Sequence, residues 1–194
     1  MMSDHVDRLS PMGVMVLALL REGPMHPYEM MRLLRERRED RLLTLANGTL
    51  YHAVAKLAAA ELIVETGVDR DGNRPERTTY ALTPEGDETV AAWVRRELPR
   101  IDRPASFRIA LAEAHNLDRT ETVALLRERR AALEAEADDI ARMRCDADAR
   151  GSEPQYLVEI VRQQALLTAD LAWIDRLLDD LVTQAYPWGV HASA

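Results

Sequence analysis

Residues Asn47 to Glu65 read NGTLYHAVAKLAAAELIVE, and the two sides of this stretch ask for different surroundings. Wound as a helix at about 100° per residue, Leu50, Val54, Leu57 and Leu62 fall near one stripe, while Thr49, Tyr51, His52 and Lys56 face outward. The inner stripe is ordinary core. The outer one is a compact set of hydrogen-bond donors with a single positive charge, and the question is what such a face would touch.

Upstream the chain carries strong helix signals. Ser10 followed by Pro11 supplies an N-cap and a first-turn proline, and the apolar run behind them predicts a buried helix ending at Gly23-Pro24. Pro27 opens a second helix, with Tyr28, Met31, Leu34 and as a further candidate Met30 inward and the arginines solvated, extending to about Arg41. The quoted stretch is the third, with Asn47 as the expected cap through its side-chain oxygen.

After Glu61 the period changes from helical to alternating. LIVE is short and β-branched, and TTYAL places Thr78, Tyr80 and Leu82 on one side, so both read as strands. Between them Asp71-Gly72-Asn73 is turn chemistry, because glycine and asparagine tolerate positive φ. Thr83-Pro84 then repeats the cap-plus-proline device and starts a fourth helix that runs through Trp93 and stops before Pro99. Three helices followed by a two-stranded hairpin predict a winged helix-turn-helix, whose third helix lies in the DNA major groove while the hairpin reaches the flanking backbone. Thr49, Tyr51, His52 and Lys56 are then the face offered to phosphates and base edges, and Arg70, Arg74 and Arg77 belong to the wing. The bland alternative for Tyr51 is a ring packed on the first helix with only its hydroxyl exposed.

Residues 100–194 differ in kind from residues 1–99, and the reading is mainly α: a winged helix-turn-helix domain followed by a helical coiled-coil dimerisation domain. A short helix from about Phe107 to His115 leads to Asp118, a capping residue for a long helix to about Arg150. Gly151-Ser152 breaks it, and Pro154 begins another that lasts to about Gln184. In that last helix Leu157, Ile160, Gln164, Leu167, Leu171, Ile174, Leu178 and Leu181 recur in steps of three and four, the seam of a coiled coil. Arg130 and Arg144 interrupt the matching stripe of the preceding helix. A lone pair of such helices would leave leucines wet, so a second copy of the chain is expected to cover them.

Composition narrows the function classes. The 194 residues are 47% apolar, enough for a buried core, and carry a net charge of −8. Residues 1–100 hold 14 cations and 16 anions, residues 101–194 hold 11 and 17, and Lys56 is the one lysine. Most of the negative excess thus lies in the second half, and acids farther from a contact face than a Debye length of about 8 Å are largely screened there. There is no HExxH, GxSxG or phosphate-binding glycine loop, and the five histidines are scattered, so no enzyme, metal or cofactor is expected. A lone Cys145, no apolar run of bilayer length and no secretory leader place the chain in the cytoplasm. Trp93 is a candidate effector contact, with core filling as its alternative reading.

The blocks HPYEM, NGTLYHAVAKLAAAELI and RPERTTYALTPEGDETVAAWV, in this order before a helical C-terminal half, resemble the PadR family of transcriptional regulators over nearly the whole chain. The resemblance implies a dimeric repressor of a palindromic double-stranded operator, released by a small molecule or other signal, with dimerisation through the C-terminal helices. It also implies DNA contact from Tyr28, Asn47, Thr49, Tyr51, His52, Lys56, Arg74 and Arg77. The family often has glycine before the helix-two tyrosine, where this chain has Pro27. A winged-helix module that binds another protein instead of DNA is the alternative, which the near-neutral N-terminal half permits.

Overall fold

The computed structural model describes residues 2–69 and 77–189. In chain order it has α1 (Met2–Arg8), α2 (Pro11–Leu20), α3 (Pro27–Glu36), α4 (Asn47–Ala59), β1 (Ile63–Asp69), β2 (Arg77–Leu82), α5 (Pro84–Glu97), α6 (Pro104–Ala112), α7 (Arg119–Ala149) and α8 (Val158–Val182). Contacts divide it into two units: residues 1–96 with 108–116, and residues 97–107 with 117–194.

In the first unit, α2 is apolar all round and is accordingly the central helix, with Met12 to Leu17, Leu19 and Leu20 buried. Ser10 caps it as its sequence implies, accepting from the Gly13 amide at 3.1 Å. Met30, Met31 and Leu34 of α3 and Leu50, Ala53, Val54 and Leu57 of α4 complete the core. The second helix stops at Glu36, short of the expected Arg41, because Arg38 takes a left-handed backbone (φ 58°) and Glu39–Arg41 form a separate 3-10 turn. Leu62, placed by its period on the helical stripe, lies beyond α4 yet is 2% exposed. The helix N-terminal to Ser10 was not foreseen.

The strands pair antiparallel, Ile63 with Leu82 through Asp69 with Arg77, with a register shift between Glu65 and Gly67. They run further than LIVE and TTYAL alone. Met25 adds a bridge at the other edge, exchanging two backbone hydrogen bonds with Tyr80 at 3.0 and 3.2 Å. Thr83 caps α5 by accepting from the Gly86 amide.

In the second unit α7 and α8 lie against each other. Leu133 and Ile140 of α7 meet Leu167 of α8, with Ala137, Ile160, Leu171 and Ile101 packed round them. Leu157, Leu167, Ile174, Leu178 and Leu181 are all buried within one chain. The premise that this seam needs a second copy to stay dry is therefore corrected: α7 covers it. The arginines that interrupt α7 explain how. Arg130 donates to Asp175 at 2.6 Å and Arg144 to Gln164 at 2.9 Å, both on α8, so each polar break in one helix meets a polar residue of the other. Asp118 caps α7 through the Glu121 amide. Helix α6 starts earlier than expected, at Pro104, and Pro154–Tyr156 form a 3-10 turn before α8.

Candidate nucleic-acid interface

The site is built on α4. Its apolar stripe anchors it: Leu50 is fully buried, and Ala53, Val54 and Leu57 are at most 4% exposed. That burial forces the opposite stripe outward, and Asn47, Gly48, Thr49, Tyr51, His52 and Lys56 are all exposed. Tyr51 keeps half its surface in solvent and does not pack its ring away under α2. Lys56 makes no ion pair among the described residues.

Asn47 does not cap α4. Ala46 takes the N-cap position with extended backbone and no side-chain bond, and Asn47 becomes the first helical residue. Its Oδ1 accepts instead from Nη2 of Arg35 on α3, at 3.3 Å. The first-turn amides of α4 thus lack a side-chain cap, and such helix ends suit an anion such as a backbone phosphate. At Gly48 a Cβ would meet nothing within 4 Å, so glycine is not demanded by packing; its smallness leaves the backbone open to close approach.

Beside this face is a notch of about 220 Å³ between α3 and α4, lined by Tyr28, Arg32, Arg35, Asn47 and Tyr51 among others. Tyr28 is 65% exposed at the start of α3, where Pro27 occupies the first helical position and His26 Nδ1 accepts from the Tyr28 amide. Arg32 is occupied by Glu36 at 2.9 Å and Glu29 at 3.5 Å. Arg35 and Gly48 are the two members of this surface that sequence reasoning missed. The signal for Arg35 was its spacing from Tyr28, seven residues or about two turns along α3, which puts both on one face.

Of the wing residues, Arg70 and Arg74 lie outside the described residues, and Arg77 is placed only by its backbone, opposite Asp69 in the last pair of the hairpin. Trp93 is 2% exposed. Its ring fills core and presents no surface to an effector, which corrects that candidate. No cluster of metal-ligating side chains occurs among the described residues, and none of their helices is long and apolar enough to cross a membrane.

A three-helix core with an outward-facing third helix and a two-stranded antiparallel hairpin defines a winged helix-turn-helix protein. Residues 16–92 match the model of the Transcriptional regulator PadR-like family. No curated protein matches. Among solved structures, Bacillus subtilis PadR in complex with operator DNA is similar at 20% identity, covering 87% of this chain and 98% of that one, with a TM-score of 0.41. The smu.1604c protein of Streptococcus mutans UA159 is similar at 17% identity, covering 89% and 97%, with a TM-score of 0.40. Bacillus subtilis PadR in complex with p-coumaric acid is similar at 16% identity, covering 89% and 99%, with a TM-score of 0.40.

Proposed function

We propose that the protein acts in the cytoplasm as a dimeric repressor that binds a palindromic DNA operator and is released by a small-molecule or other signal. The observation that carries the reading is the two-sidedness of α4, whose apolar stripe is locked into the core while Thr49, Tyr51, His52 and Lys56 stand exposed beside uncapped helix amides. Such a face offers donors to base edges and phosphates in one surface. Tyr28, Asn47 and Arg35 extend it along the start of α3, and Arg74 and Arg77 of the wing are assigned to the flanking backbone.

Two-fold symmetry follows from the operator class, because two copies of one face read two half-sites a helical turn apart. The C-terminal helices are the dimerisation domain. Since the leucine seam is internal, the surface left for the partner includes Val158 and Val161 of α8, 64% and 43% exposed.

The test is a gel-shift titration of the purified protein on the DNA next to its own gene, at several salt concentrations. Nanomolar-range binding that weakens steeply with salt is expected, each phosphate contact contributing about one unit of slope. Binding that ignores salt, or its absence, would favour a protein-binding winged helix.

A further inference from the structure

Arg32, Arg35 and Arg37 follow one another over the last turns of α3 and its C-cap, and the outer two are neutralised in place. Arg32 is held by Glu36 at 2.9 Å and Glu29 at 3.5 Å, and Arg37 Nη2 donates to Glu22 at 2.7 Å. Arg35 differs: it is exposed and pairs with no carboxylate among the described residues. Its Nη2 donates instead to Oδ1 of Asn47, the first residue of α4, at 3.3 Å. The free charge stands on the notch beside Tyr28 and Tyr51, where the one acid of the lining, Glu36, is already taken by Arg32.

The contact with Asn47 fixes more than a distance. A guanidinium carries donors only, so the carboxamide atom turned toward Arg35 has to be the oxygen. Nδ2 and both its N–H groups are then directed away from Arg35, and the Asn47 side chain makes no other hydrogen bond among the described residues. Asparagine reads adenine with both ends of its amide, accepting from N6–H and donating to N7. Here an adenine amino group approaching Oδ1 would also meet the guanidinium N–H groups, donor against donor. Guanidinium and Nδ2 together suit a group that presents acceptors alone, which a phosphate does and the N7/O6 edge of guanine does as well.

We propose that Arg35 is a positioning residue of the DNA-binding face: it orients Asn47 so that the pair offers donors only, and the pair takes an acceptor-only group of DNA, a backbone phosphate or a guanine edge, and refuses adenine. This role rests on the DNA reading of α4.

The orientation is tested without DNA by heteronuclear NMR of the full-length protein, the Asn47 side-chain amide signals being identified by their loss in Asn47→Ala. They should move in Arg35→Ala and stay in Arg32→Ala; signals unmoved in Arg35→Ala overturn the positioning. Gel shifts on the DNA next to the gene test the recognition. Arg35→Ala should weaken binding about tenfold. Its urea midpoint should not change, since both side chains are exposed. Asn47→Ala should cost much less in the Arg35→Ala background than in the wild type, and equal cost in both overturns the pair. A phosphate partner shows as the same loss on every sequence with a salt slope lower by about one unit, and a guanine partner as a loss confined to one base pair and reproduced by 7-deazaguanine there. Wild-type affinity in Arg35→Ala, or a preference for adenine that Asn47→Ala abolishes, overturns the role while the salt-dependent binding of the wild type leaves the operator reading standing. Absence of wild-type binding to any DNA would overturn both.

Discussion

A methyl group on Gly86 would sit 2.1 Å from the backbone oxygen of Leu62, far inside van der Waals contact. This glycine lets the first turn of α5 lie directly on the end of α4's connection to the wing, where Thr83 Oγ1 also donates to the Leu62 carbonyl at 2.9 Å. Gly86→Ala is expected to destabilise the protein by about 2–3 kcal/mol, seen as a lower urea midpoint with an unchanged slope. Glu113 is a second residue with a defined role. Burial raises its carboxyl above the ordinary value of 4.5, against the pull of His115 and of Asn116, whose amide donates to it at 2.8 Å. The folded chain therefore holds this proton more tightly than the unfolded one does. Its contribution is complete below about pH 4.5 and is lost as pH rises through the raised folded value. Glu113→Gln should remove that loss, so that its stability relative to wild type increases from pH 4 to pH 7 in denaturant titrations.

At the scale of the element, α4 separates affinity from specificity. Lys56→Ala should weaken DNA binding on every sequence and reduce the salt slope by about one unit, whereas Thr49→Ala or His52→Ala should change which operator variant is preferred. Gel shifts on a panel of operator variants distinguish the two outcomes, and no loss in any of the three would remove the face. For the α7 and α8 pair, Ile174 has no exposed surface and Ile174→Ala is expected to cost about 2–5 kcal/mol. The same pairing shows what could be read in advance. The leucine period of α8 was plain, and so were Arg130 and Arg144 as breaks in α7. That these breaks face Asp175 and Gln164 was not, because no local pattern states which residues of two helices stand opposite each other.

For the whole molecule, the proposed symmetry makes its own prediction. Sedimentation equilibrium should give about twice the chain mass of 21.9 kDa, and Val161→Arg should shift it toward the monomer by placing a charge on the exposed face of α8 while leaving the seam untouched. A monomer that still bound a palindrome at nanomolar concentrations would remove the dimer from the account. Net charge speaks less clearly at this scale. The −8 total did not exclude a DNA partner, since what matters is which charges stand beside the contact face.

By itself the sequence determined most of the elements and the outward face of α4, though neither the helix before Ser10 nor the early end of α3. Ser10, Thr83 and Asp118 cap their helices through bonds to residues three positions away, and the burial of Leu50, Val54 and Leu57 follows from a period of 3.6; such local effects are written in consecutive residues. Tertiary structure decided the rest. It gave Asn47 to Arg35 in place of the helix end, put Trp93 in the core and closed the α8 seam with α7. Each of these depends on a partner distant in the chain, and the choice among possible partners is made by packing and hydrogen-bond satisfaction over the whole fold.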